Sequence, residues 1–134
     1  MAKGTNEVKI EGKICSGKGI GKKFVKLPWV GRQFQEKLGF IPYPGTLNLI
    51  LTRKEKEKKK KLEENEGIAI IPEKGYCKAK CFKVKINGRI QGAVIIPKVQ
   101  NYPEELLEIL SPLNLRKALN LKDGSLVEIT VYLG

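Results

Sequence analysis

A chain of 134 residues, with 41% hydrophobic and 30% charged side chains, has the balance of one globular domain and excludes a disordered polymer. It contains no histidine, which removes Ser–His and Cys–His nucleophile systems and every His-ligated metal site. The formal net charge of +12 suits an anionic partner, either nucleic acid or the phosphates of a nucleotide.

The chain order begins with a strand. Val8, Ile10, Gly12 and Ile14 alternate with Lys9, Glu11 and Lys13, the period-two pattern of a half-buried strand. Gly17, Gly19 and Gly21 then form a loop, and a short strand is expected over Lys23–Leu27. Val30–Leu38 reads as a helix with Phe34 and Leu38 on one face, stopped by Gly39. Pro42 and Pro44 keep the next segment extended, and Thr46–Leu51 reads as a strand.

The run Arg53–Leu62 holds seven basic and two acidic residues, so part of the net charge is local. Arg53–Glu66 has strong helix formers but almost no apolar face. It is expected to be a surface insertion without a site role, as a solvated helix or a loop. Gly67–Ile71 is a short apolar strand. Cys77, Ala79 and Cys81 alternate in one parity and Phe82, Val84 and Ile86 in the other, which suggests a bulge near Cys81–Phe82.

Asn87-Gly88 predicts a type I′ hairpin, with Arg89–Ile96 returning. Pro103 is placed to start a helix running to about Leu110, with Leu106, Leu107 and Leu110 as its apolar face. A second helix is expected from Ser111-Pro112 to about Leu119. Asp123-Gly124 then turns the chain into a last strand through Val127, Ile129 and Val131. Six or seven strands without a β-α-β rhythm predict a mainly β chain, an antiparallel barrel with short helical inserts.

No apolar run approaches the ~20 residues of a membrane span. Met1–Asn6 lacks the apolar stretch of a signal peptide, so a cytoplasmic location without membrane contact is expected. Three cysteines, Cys15, Cys77 and Cys81, argue against a disulfide framework, and their expected role is structural.

Four stretches could carry chemistry. In Ser16-Gly17-Lys18-Gly19-Ile20-Gly21-Lys22-Lys23-Phe24, alternate glycines let backbone amides approach phosphates, and the lysines add charge. The same stretch could be a flexible hairpin connection, and it lacks the ending of a Walker loop. Thr46 and Asn48, two apart on a strand, share a face and offer hard oxygens suited to Mg²⁺, or simply a polar solvent face. Glu108 lies off the apolar stripe of its expected helix. Leu113-Asn114-Leu115-Arg116 opens the next helix, where an anion or only water can sit.

Together and in order, these stretches resemble the archaeal CTP-dependent riboflavin kinase family. The likeness is carried by Ser16–Phe24, by Leu38-Gly39-Phe40-Ile41-Pro42-Tyr43-Pro44-Gly45-Thr46-Leu47-Asn48-Leu49, and by Gly92–Pro97. Glu108-Ile109-Leu110-Ser111-Pro112, Leu115-Arg116 and Asn120–Gly124 extend it to about residues 8–132.

The resemblance implies a six-stranded cradle-loop (RIFT-like) barrel and transfer of the γ-phosphate of CTP to the 5′-hydroxyl of riboflavin, giving FMN and CDP. It assigns Gly17, Lys18, Gly19, Ile20, Gly21 and Lys22 to the nucleotide phosphates, and Leu113, Asn114, Leu115 and Arg116 to further nucleotide contacts. Thr46 and Asn48 would hold Mg²⁺. Glu108 falls where the family contacts the flavin and is the one candidate for a general base. A second flavin contact, usually Thr in the family, aligns with Gln100. A monomer that does not bind nucleic acid is the expected form.

Ile96–Ile129 is also similar to AbrB-type DNA-binding regulators, which are small, basic and strand-rich. A non-enzymatic DNA-binding module is therefore the alternative, and it leaves the glycine loop and Gly45-Thr46-Leu47-Asn48 unexplained.

Overall fold

The computed structural model describes residues 6–16 and 21–134, with the backbone alone for Gly21 and Lys22. The described elements run β1 (Glu7–Cys15), α1 (Gly21–Phe24), α2 (Pro28–Leu38), β2 (Leu47–Ile50), α3 (Arg53–Glu64) and β3 (Ile68–Ile70). They continue with β4 (Ala79–Ile86), β5 (Ile90–Pro97), β6 (Leu106–Leu110), α4 (Leu115–Ala118) and β7 (Leu126–Tyr132). All strand pairs are antiparallel, in the order β3-β4-β5-β6-β2-β1-β7. A β4–β7 pairing closes six strands into a barrel and leaves β3 appended to β4. The expected six-stranded cradle-loop barrel is the fold of the chain.

Two apolar layers explain the strand patterns. Ile10, Ile14, Leu49, Phe82, Val84, Val94, Leu107, Ile109, Ile129 and others fill the barrel interior. Outside the wall, Val30, Phe34 and Leu38 of α2 cover Ile70, Cys81, Ile95 and Leu110. Strands under α2 are buried on both faces and lose their alternation.

That corrects two expectations. Cys81 and Phe82 are both buried, one facing α2 and the other the interior. The β4–β5 register is unbroken from Ala79↔Pro97 to Ile86↔Ile90, so there is no bulge in that pairing. Residues 106–110, expected as helix, are strand β6, held between β5 and β2 with all five residues buried. A central strand apolar on both sides carries no period, and its leucines read locally as helix formers.

Other boundaries also move. Lys23–Leu27, expected as strand, lies in the short helix α1 and the turn after it. The last helix begins at Leu115 rather than Pro112, because the Asn114 side chain accepts the Lys117 N–H and caps it there. Gly39 ends α2 as expected, at φ 83°, and Asn87 (φ 50°) and Gly88 (φ 68°) form the left-handed hairpin turn.

Helix α3 packs against β1 and is anchored on the barrel. Leu62 is fully buried in the interior cluster, Glu55 accepts the Glu11 N–H at 2.7 Å, and Lys59 is 3% exposed. The Lys80 ammonium donates to the carbonyls of Glu63 and Asn65 at the helix C-terminus. The segment expected as a solvated excursion therefore buries three side chains, while Lys54, Lys60 and Lys61 are exposed and Lys56 and Lys58 half-buried. Cys81 is buried too, and burial pushes its thiol up to about 12, as expected of a structural cysteine.

Candidate active site

Strands β2 and β6 lie side by side, and their register sets Asn48 opposite Glu108. Because Leu47, Leu49, Leu107 and Ile109 point into the barrel, Asn48 and Glu108 both point outward from the wall. Thr46, just before β2, shares their side. Its hydroxyl lies 3.2 Å from Asn48 Oδ1 and 3.3 Å from Glu108 Oε1. The structure thus brings Glu108 to the Thr46–Asn48 pair that the sequence offered apart from it. Glu108 is not on a solvated helix face; it is fully buried.

A buried carboxylate must be hydrogen-bonded or it costs several kcal/mol. The Tyr102 hydroxyl donates to Glu108 Oε2. Burial first, and then the Glu108 hydrogen bond and charge, push the Tyr102 phenol above its ordinary value, so it stays protonated as a donor.

Tyr102 is itself held from α3. The Lys59 ammonium sits 5.2 Å from its ring centre and donates to the carbonyls of Leu106 (2.9 Å), Pro103 (3.2 Å) and Glu104 (3.3 Å). Burial lowers the Lys59 pKa, opposed by the carboxylates of Glu63, Glu104, Glu105 and Glu108. Sequence reasoning missed both Tyr102 and Lys59.

Beside Thr46 opens a cleft of about 170 Å³, lined by Tyr43, Gly45, Thr46, Ser111 and Leu113–Arg116 among others. Leu113, Asn114, Leu115 and Arg116 therefore line one cavity with Thr46. Asn114 Nδ2 donates to Tyr43 Oη at 3.1 Å, and the Tyr43 N–H donates to Ser111 O at 2.7 Å. Tyr43 is a second lining residue that the sequence did not single out as functional.

Arg116 ties the cleft to the start of the glycine loop. Its guanidinium donates to Asp123 Oδ1 at 2.7 Å, to Ser16 Oγ at 2.9 Å and to Cys15 O at 3.4 Å. The Ser16 hydroxyl also donates to Asp123. Hydrogen bonds from Arg116 and Ser16 hold the Asp123 carboxyl below its ordinary value.

Gly17, Lys18, Gly19 and Ile20 lie outside the described residues; Gly21 and Lys22 begin α1. Gln100 is exposed, on a turn closed by the Tyr102 N–H to Val99 O at 3.3 Å.

The donor set at Thr46 fits a hard divalent cation. Thr46 Oγ1, Asn48 Oδ1 and Glu108 Oε1 converge, and a threonine hydroxyl brings one proton to its two neighbours. Among the described residues no three His, Cys, Asp or Glu side chains gather to hold a metal. A cation here would find two neutral oxygens, from Thr46 and Asn48, and one carboxylate oxygen, from Glu108. Among the described residues no helix is long and apolar enough to cross a membrane.

Fold and site define a cradle-loop barrel with a cleft where β2, β6 and the segment before α4 meet, lined by the polar groups of Tyr43, Thr46, Ser111 and Asn114 and by Leu47, Ile109 and Leu115. The family model for CTP-dependent riboflavin kinases, described as domain of unknown function DUF120, matches residues 14–131, and the chain belongs to that family.

Curated relatives agree. A riboflavin kinase of Archaeoglobus fulgidus is 46% identical over 130 residues, 94% of this chain and 55% of the relative. One of Ignicoccus hospitalis is 40% identical over 93% of this chain and 72% of the relative. One of Sulfolobus acidocaldarius is 41% identical over 94% of this chain and 82% of the relative. The chain thus spans between about half and four fifths of these relatives' lengths.

Proposed function

We propose that this chain is a riboflavin kinase that transfers the γ-phosphate of CTP to the 5′-hydroxyl of riboflavin, releasing CDP and FMN. The observation that carries the reading is the contact of Thr46 with Asn48 and Glu108, Thr46 also lining the cleft it shares with Leu113–Arg116. Thr46 and Asn48 would offer a metal–triphosphate oxygen ligands beside the buried Glu108 carboxylate, in a family whose name is this kinase. The choice of CTP as donor rests on the family's name alone.

Phosphoryl transfer runs through a loose transition state, so positioning and charge neutralisation do most of the work. Mg²⁺ held by Thr46 and Asn48 would supply neutralising charge to the phosphate oxygens. The residues Leu113–Arg116 shape the nucleotide side of the cleft, and the amides of residues 17–22 would contact the phosphates. Arg116 keeps the two together by holding Ser16.

Glu108, supported by Tyr102, would receive the riboflavin 5′-hydroxyl in place of the Thr46 hydroxyl it now accepts. The hydroxyl proton passes to its carboxylate as the new P–O bond forms and the bond to the CDP oxygen breaks. Gln100, exposed on the turn before Tyr102, would offer its amide to the flavin. A DNA-binding role gives the Thr46–Asn48–Glu108 contact no purpose.

The test is to incubate the protein with riboflavin, Mg²⁺ and each of CTP, ATP, GTP and UTP, and to separate FMN by chromatography. FMN formed chiefly with CTP is expected. No FMN with any donor overturns the proposal, and FMN with ATP but not CTP overturns the choice of donor.

A further inference from the structure

Helix α3 reaches the site through one side chain. Of the six lysines between Lys54 and Lys61, Lys59 is 3% exposed, and its ammonium is spent inside the protein. It donates to three carbonyls of the turn that leads into β6 and lies against the ring of Tyr102. Tyr102 in turn donates to Glu108, and Glu108 lies 3.3 Å from the Thr46 hydroxyl. Two residues of this chain of contacts, Tyr102 and Glu108, flank the 103–106 turn that Lys59 gathers. If that turn shifts, the phenol and the carboxylate shift together.

We propose that Lys59 is a positioning residue for the acceptor side of the site: it fixes the 103–106 turn and the Tyr102 ring, and through them the Glu108 carboxylate. The inference rests on the kinase reading above for what Glu108 meets. A buried ammonium costs more than a methionine of similar length. Stability alone therefore gives no reason to place a charge here, whereas three directed donors and a cation–π contact fix a geometry. The neighbouring lysines of α3 make no comparable demand: Lys60 is exposed and pairs with the exposed Glu57, at 3.6 Å.

The test compares the unmodified protein with Lys59→Met, Tyr102→Phe, the double variant and the exposed control Lys60→Met. Thermal unfolding, initial rates with riboflavin and CTP varied separately, and FMN binding by flavin fluorescence are measured for each. Lys59→Met is expected to lower kcat/KM for riboflavin by about 10- to 100-fold, the scale of a small misplacement of reacting groups. The KM for CTP should stay within about twofold, the double variant should be no worse than the poorer single variant, and Lys60→Met should match the unmodified protein.

Equal losses toward both substrates, additive losses in the double variant, or a Lys59→Met enzyme within twofold of unmodified would each overturn the proposal. If Lys59→Met does not fold, Lys59→Gln keeps a donor for the carbonyls and must show the same split at smaller size; without the split the proposal fails.

The two readings separate cleanly. FMN production without a Lys59 effect removes only the positioning role. FMN binding without FMN production, weakened by Lys59→Met, removes only the kinase reading. Neither production nor binding by the unmodified protein removes both.

Discussion

The hydroxyl of Thr46 lies 3.3 Å from the carboxylate of Glu108, although 62 positions separate them in the chain. The pairing of β2 with β6 creates this contact, which sets one neutral and one negative oxygen side by side on the barrel wall.

The double variant Thr46→Ala with Asn48→Ala should lower the rate of FMN formation by about 10²- to 10³-fold, as loss of preorganised charge-stabilising groups does. The fold should survive, since the hydrogen bonds removed are worth about 1 kcal/mol each. Chromatographic rates and urea unfolding check the two halves. Calorimetry should also find weak Mg²⁺ binding without nucleotide, because Thr46 and Asn48 bring no charge and Glu108 is the one carboxylate beside them.

Tyr102 makes the protein sensitive to alkali. Its phenol titrates above the ordinary tyrosine value near 10 in the folded chain, so the unfolded chain loses that proton first as pH rises. The stability that Tyr102 contributes is full below about pH 10 and falls as pH climbs toward the folded value. Unmodified protein should therefore lose its stability advantage over Tyr102→Phe above about pH 10. Urea midpoints at pH 8 and pH 11 would show the narrowing; a constant difference would contradict it.

Helix α3 should matter to the barrel through its buried side chains and not through its charge. Leu62→Ala is expected to cost about 2–5 kcal/mol, the range for a large-to-small change at a fully buried position. Lys60→Ala, on the exposed face, should change stability by less than about 0.5 kcal/mol. Equilibrium denaturation of both variants decides between an anchored helix and a loose insertion.

Gly92 lets the barrel wall close. A Cβ built there would stand 2.6 Å from Leu110 O and 2.7 Å from Ile86 Cδ1, at an ordinary strand conformation. Backbone on one side leaves little room to give, so Gly92→Ala should destabilise by about 1–3 kcal/mol, as overpacking does. Thermal melting should show it, in contrast to Gly31→Ala in α2, where the added carbon meets nothing within 4 Å beyond its chain neighbours and its own helix's backbone.

What could be read in the sequence was what has a local signature. Strands β1 and β7 alternate because one face is wet, Asn87-Gly88 and Gly39 sit where positive φ is required, and Thr46 and Asn48 are spaced to share a strand face. β6 could not be read, because burial on both faces erased its period, and with it went the true setting of Glu108. Lys59 was hidden for a different reason. Six lysines in eight positions look alike until the fold chooses the one that meets the 103–106 turn. Tyr102 gained its role only from that turn and from a carboxylate six positions on.

The central claim is that the cleft beside Thr46 holds a metal-bound nucleotide next to the riboflavin hydroxyl. Crystals grown with CDP, Mg²⁺ and FMN test it most directly. Mg²⁺ is expected on Thr46 and Asn48, the CDP phosphates against residues 17–22, and the FMN phosphate end beside Glu108. A complex with CDP and the metal bound elsewhere, and the Thr46–Asn48–Glu108 contact unchanged, would contradict it.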